Sequence, residues 1–121
     1  MRFNKIIPIL YTKNLNKSID FYLKILGFEF IITSCNNDWV ILRLDDIELM
    51  LSNPNDHIPF HKSIFTGSFY IQTVHVDLIW DKLRDHPNIS YPLETFDYGM
   101  KEFAILDNNG YLLQFGEEIS L

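Results

Sequence analysis

The sequence predicts an α+β fold of two tandem β-α-β-β-β modules within a single domain, residues 1–121. Three observations predict it. Several short runs are rich in apolar residues and bounded by turn residues, as strands are. Two further runs place their apolar residues at spacings of three and four, the period of a helix. The order of elements is also given twice. Offsets of about 60 to 63 residues bring Ile9-Leu10-Tyr11 onto Phe69-Tyr70-Ile71, and Leu44-Asp45 onto Leu106-Asp107.

The first module occupies residues 1–52. Ile6 to Tyr11 is apolar but contains Pro8, which predicts an edge-type or irregular strand. Asn14-Leu15-Asn16 supplies turn and N-cap chemistry. A helix follows on Leu15, Ile19, Tyr22, Leu23 and Leu26, with Gly27 as its C-cap. Phe21 and Ile25 widen the apolar arc, so this helix is expected to meet a second module or subunit as well as its own sheet. Strands are predicted over Phe28 to Cys35, Trp39 to Leu44 and Ile47 to Ser52. A two-residue turn at Asp45-Asp46 would pair Leu44 with Ile47 and Arg43 with Glu48, setting opposite charges across the hairpin. Residues 53–67, with Pro54 and Pro59, read as a linker closed by Gly67.

The second module, residues 68–121, restarts the pattern. Phe69 to Thr73 is a strand, and a helix runs from about Val76 to Asp85 on Val76, Ile79, Trp80 and Leu83. Pro87-Asn88 breaks it. Strands follow over Ile89 to Phe96, Met100 to Leu106 and Tyr111 to Gly116, separated by Asp97-Tyr98-Gly99 and Asp107-Asn108-Asn109-Gly110. A module of roughly 60 residues buries too little surface to be comfortable alone. The halves are therefore expected to share a core or to borrow one from a second subunit.

Composition narrows the function. A hydrophobic fraction of 47% builds a core and excludes global disorder. No run approaches the roughly 20 apolar residues of a membrane span. The start Met1-Arg2-Phe3-Asn4-Lys5 does not read as a signal peptide, so a cytoplasmic protein is expected. Ten Lys+Arg against sixteen Asp+Glu argue against a nucleic-acid partner and suit neutral or cationic small molecules. Ten Phe, six Tyr and two Trp are a high aromatic load, which either fills the core of a small domain with large side chains or lines a pocket for a flat or greasy ligand. The single Cys35 rules out an internal disulfide and any multi-cysteine zinc site.

The most specific segments are Leu15-Asn16-Lys17-Ser18-Ile19-Asp20-Phe21-Tyr22, then Leu26-Gly27-Phe28, and the long run from Tyr98-Gly99-Met100 through Asp107-Asn108-Asn109-Gly110 to Gln114-Phe115. In this order and spacing the chain resembles the vicinal oxygen chelate superfamily of glyoxalases, extradiol dioxygenases and fosfomycin and bleomycin resistance proteins. The resemblance spans essentially the whole chain. It implies a cup-like mixed sheet, the glyoxalase/bleomycin resistance protein fold. Enzymes of that superfamily hold a divalent metal with His, Gln or Glu from four strands. The resemblance places those positions at Ile7, Met50, Ser68 and Gln114. Ile7 and Met50 are not hard ligands, Ser68 is a poor one, and Gln114 alone suits the task. No metal, cofactor or catalytic residue is therefore expected.

Other chemistry is sparse. His57 and His61 are separated by Pro59 in the linker, and His75 and His86 flank the second helix as cap or surface residues. Cys35 ends a strand with no His or Asp beside it, the setting of an inert thiol. Ser18 and Ser68 lack a nucleophile-elbow context, and the glycines never cluster into a phosphate loop. If the superfamily's metal positions point into the cup, alternation puts Tyr11, Glu48, Tyr70 and Gln114 on the same face. Hairpin pairing adds Trp39 and Arg43. The expected ligand-binding set is Tyr11, Trp39, Arg43, Glu48, Met50, Tyr70 and Gln114, unless Arg43 and Glu48 merely neutralise each other.

Two functions follow from the resemblance. The first is a cytoplasmic homodimer like the bleomycin resistance proteins, which sequester a cationic glycopeptide and so confer antibiotic resistance. It would bind a small molecule, bleomycin-type or otherwise cationic or aromatic. The alternative is a metal-dependent glyoxalase- or dioxygenase-like enzyme with an altered ligand set. A purely structural or regulatory subunit is a third reading, and it predicts a cup filled by its own side chains.

Overall fold

The computed structural model describes residues 1–55 and 59–119. The chain divides into two compact units, Met1–Ser63 and Ile64–Leu121.

In the first unit, β1 (Ile9–Tyr11) leads to α1 (Leu15–Asp20), which continues as a π-helical turn over Phe21–Ile25. Then come β2 (Glu29–Thr33), β3 (Trp39–Leu44) and β4 (Ile47–Ser52). The sheet order is β1-β4-β3-β2, with β1 parallel to β4 and the other pairs antiparallel. β1 starts at Ile9 rather than Ile6. Pro8 has no N–H to give the ladder, although its carbonyl accepts from Met50 N at 2.8 Å.

Asn14 caps α1 as expected: its side chain accepts from Lys17 N at 3.0 Å. The π-helical turn ends on a wide bond, from Leu26 N to Phe21 O at 3.3 Å. Gly27 then stands at φ 84, the left-handed conformation its place after the helix calls for. β2 is shorter than Phe28 to Cys35. It carries a register shift between Phe30 and Ile32, and Cys35 lies exposed in the following turn. The β3–β4 hairpin has the expected register, Leu44 opposite Ile47 and Arg43 opposite Glu48, with Asp45 at φ 50 in its turn.

The second unit repeats the plan with β5 (Phe69–Gln72), α2 (Val76–Leu83), β6 (Ile89–Phe96), β7 (Met100–Leu106) and β8 (Leu112–Glu118). Its order is β5-β8-β7-β6, with β5 parallel to β8. α2 stops at Leu83 rather than near Asp85, ahead of Pro87. β8 begins at Leu112, not Tyr111, because the Asp107 carboxylate takes Tyr111 N at 3.0 Å and Asn109 N at 2.8 Å to build the turn.

One face of each sheet is the core. Val40, Leu42, Leu49 and Leu51 are buried in the first unit; Phe103, Ile105, Leu113 and Phe115 are buried in the second. Trp80 of α2 lies on Phe103, with ring centroids 5.2 Å apart, and Phe103 stacks on Phe115. The duplication extends to single hydrogen bonds. Thr12 N donates to Ser52 O at 2.9 Å, and Thr73 N donates to Gly116 O at 2.9 Å. Each threonine hydroxyl oxygen then accepts a backbone N–H two residues on, from Asn14 and from His75. Thr12 therefore answers to Thr73, and Ile9 answers to Tyr70. The superposition of Ile9 on Phe69 is off by one residue, and a one-residue slip exchanges the two faces of a strand.

Candidate functional site

The face opposite each core carries the polar and aromatic residues. In the first unit, β-ladder register builds it in rungs. Tyr11, Ser52 and Trp39 form one, and Ile9, Met50 and Ile41 the next. Glu48 stands opposite Arg43 in the third. The structure thus places Tyr11, Trp39, Arg43, Glu48 and Met50 on one sheet face. Tyr11 is half-buried, its hydroxyl accepting from Asn55 Nδ2 at 3.0 Å and its ring edge-on to Phe60. The ion pair expected between Arg43 and Glu48 is not the one formed. Among the described residues Glu48 pairs with Lys5, at 2.5 Å, and Arg43 is exposed. Lys5 sits before β1 and reaches the carboxylate from outside the hairpin, which register alone does not foresee.

The second unit holds a denser arrangement. β8 pairs Gln114 with Tyr70 on one side and with Ala104 on the other. One rung along, Gly116 is flanked by Gln72 and Glu102. Glu102 is 1% exposed, and its carboxylate gathers neutral donors. Tyr70 donates to Oε1 at 3.1 Å and Tyr98 donates to the same oxygen at 2.5 Å. Tyr91 donates to Oε2, and Gln114 Nε2 reaches that oxygen at 3.4 Å. Gln114 Nε2 also donates to the Tyr91 hydroxyl at 2.8 Å, while its Oε1 accepts from Ser68 at 2.5 Å.

Gly116 makes the network possible. A Cβ there would stand 2.0 Å from the Tyr70 hydroxyl oxygen and 2.6 Å from its Cζ, so the phenol occupies the space a side chain would take. All three phenols hold their protons more tightly than a free tyrosine. Tyr98 is pushed up to about 12 by the carboxylate it donates to and by burial of its hydroxyl end. Tyr91 is pushed up to about 12 by burial first and by Glu102 second. Tyr70 is raised further, by burial of its hydroxyl against the sheet and by Glu102. At neutral pH these groups are donors, not bases.

Of the sequence-predicted residues, Tyr70 and Gln114 belong to this cluster, while the other five share the first unit's face. Sequence reasoning missed Glu102, Tyr91 and Tyr98. A signal for Glu102 was present: pairing across the Asp107–Gly110 turn sets it on the face of Gln114, as pairing across Asp45-Asp46 sets Trp39.

The family model described as Glyoxalase/Bleomycin resistance protein/Dioxygenase superfamily matches residues 2–115. The chain belongs to this superfamily. Solved structures of similar fold include TioX from Micromonospora sp. ML1, at 15% identity and TM-score 0.78, covering 97% of this chain and 100% of that one. A glyoxalase/bleomycin resistance protein/dioxygenase from Alicyclobacillus acidocaldarius matches at 18% identity and TM-score 0.76, covering 99% and 96%. A lactoylglutathione lyase from Agrobacterium tumefaciens matches at 20% identity and TM-score 0.72, covering 97% and 96%. A comparison with curated proteins gives no match.

The superfamily's metal does not fit the residues at the positions the resemblance assigns to its ligands. Ile7 and Met50 supply no hard donor. Ser68 and Gln114 spend their oxygen chemistry on each other, since the amide oxygen a metal would need accepts the Ser68 hydroxyl. Among the described residues no group of three or more His, Cys, Asp or Glu is placed to hold a metal ion. His61 is exposed, and its sequence partner His57 lies outside the described residues. Nor is any helix among the described residues long and apolar enough to cross a membrane.

Proposed function

We propose that this superfamily member is a small-molecule-binding protein that retains its ligand without metal-centred catalysis. One observation carries the reading: where the resemblance puts the superfamily's four metal ligands stand Ile7, Met50, Ser68 and Gln114, and the last two are tied to each other at 2.5 Å. What the two sheet faces offer instead is contact surface. Trp39, Tyr11 and Met50 supply aromatic and polarizable area on one, and the phenols around Glu102 supply it on the other. The finer form of the proposal is a cytoplasmic homodimer that sequesters a bleomycin-type or other flat cationic compound and thereby protects the cell from an antibiotic. A formal net charge of −6 supports that form.

Tryptophan fluorescence titration with bleomycin and a panel of flat cationic compounds tests the proposal. Saturable quenching at micromolar protein is expected, carried by Trp39, because Trp80 is packed on Phe103. Metal analysis of untagged protein runs beside it. Stoichiometric, tightly held Ni, Zn, Fe or Mn would overturn the proposal in favour of an enzyme with an altered ligand set. A flat titration removes drug sequestration.

A further inference from the structure

Building on the binding reading above, we infer that the Glu102 cluster is the subsite for the positively charged end of the ligand. That end is an ammonium or guanidinium borne by a flat ring, and the subsite rejects the corresponding anion. Glu102 is a buried carboxylate that no cation among the described residues pairs with. The adjacent Lys101 is turned to Asp77 at 2.8 Å. Buried charges are ordinarily paired. Here, among the described residues, the balance is made by neutral O–H and N–H donors alone, and the negative charge is left to act outward across them.

Those donors set the polarity of the surface. The phenol protons of Tyr70, Tyr91 and Tyr98 all point at Glu102, so the hydroxyl oxygens have only lone pairs left for a ligand. Two of these side chains reach solvent, Tyr70 at 42% and Tyr98 at 65% exposure. An incoming ammonium meets acceptors with a carboxylate behind them. An incoming carboxylate or phosphate meets no donor unless a phenol turns away and leaves Glu102 short of a hydrogen bond inside the protein.

A seat for the ring lies next to this charge. Tyr98 stacks on Phe96 with centroids 5.5 Å apart and planes 7° apart, and Tyr91 meets Phe96 edge-on. Aromatic faces beside a negative charge attract cations through both the ring quadrupole and the charge.

The test uses three probes that share one ring: 2-(2-naphthyl)ethylammonium, 2-(2-naphthyl)ethanol and 2-naphthylacetate. Affinities come from calorimetry, and the bound site from amide NMR shifts in β7 and β8. The ammonium is expected to bind about tenfold more tightly than the acetate, and Tyr98→Phe to remove most of that preference while sparing the alcohol. Tyr98 is largely exposed, so this variant keeps the fold. Glu102→Gln, checked by circular dichroism, is expected to abolish the preference. Equal or tighter binding of the acetate overturns the inference, as does an unchanged preference in Tyr98→Phe or shifts confined to the first unit. If only alcohol and acetate bind, the inference falls and the binding reading stands. If none of the three binds, the inference again falls, and the binding reading falls with it only when the fluorescence panel is also flat.

Discussion

A methyl group at Gly116 would collide with the phenol that Glu102 holds. The added Cβ stands 2.0 Å from the Tyr70 hydroxyl oxygen and 2.9 Å from the ring's Cε1, so Gly116→Ala must swing Tyr70 off the carboxylate. We expect a loss of about 1–3 kcal/mol, in the range of overpacked sites, read by urea denaturation. In a Tyr70→Ala background the same substitution should cost much less; an equal cost would place the clash elsewhere. The same residues govern behaviour in base. A phenol held above its ordinary value of 10 keeps its proton in the fold after the unfolded chain has lost it. That stabilisation is complete below pH 10 and is lost as pH rises through about 12, the value for Tyr91 and Tyr98. Thermal melts across this window should therefore drop with pH, alongside late tyrosinate absorbance at two or more residues. Glu102→Gln should bring that absorbance to lower pH, and a variant titrating like the parent would show that the carboxylate does not hold the phenols.

At the scale of elements, α1 is a weak helix of six residues, and its start depends on one side chain. Asn14→Ala removes the acceptor for Lys17 N and is expected to cost about 1 kcal/mol, while Asn14→Asp keeps it; denaturant midpoints of the two variants separate cap from bulk. This cap was legible in the sequence, as were the ends of β3, β4, β6 and β7, because turn residues bound each of them. What was not legible has physical causes. The bond between Lys5 and Glu48 joins an irregular N-terminal segment to a strand, and no periodicity encodes it. β6 shifts register on both sides of Tyr91, so alternation cannot say which face that ring takes. Tyr98 lies in a turn, where period carries no information. Glu102 differs from these, since hairpin pairing fixed its face. An acidic residue in a strand reads by default as solvated, and it is the three phenols, the Gln114 amide and Gly116 around it that make burial tolerable.

Over the whole molecule, the duplicated halves have diverged at corresponding positions. Trp39 pairs with Ser52 where Glu102 pairs with Gly116, so one copy presents an indole and the other a buried charge. The apolar arc widened by Phe21 and Ile25 pointed to a second module or subunit, yet within one chain Phe21 is already buried and Ile25 half-buried. Exposed apolar side chains gather instead on β2, where Phe30, Ile31 and Ile32 are exposed in succession on an edge strand. The register shift there spoils the regular edge needed for strand addition, which favours contact through side chains over an extended sheet. Sedimentation at tens of micromolar is expected to give a dimer, and Phe30→Lys with Ile32→Lys to give a monomer. Both positions are about half exposed, at 48% and 51%, so the double variant should keep its fold. A parent chain that sediments as a monomer at that concentration would remove the dimer and leave each chain to hold its ligand alone.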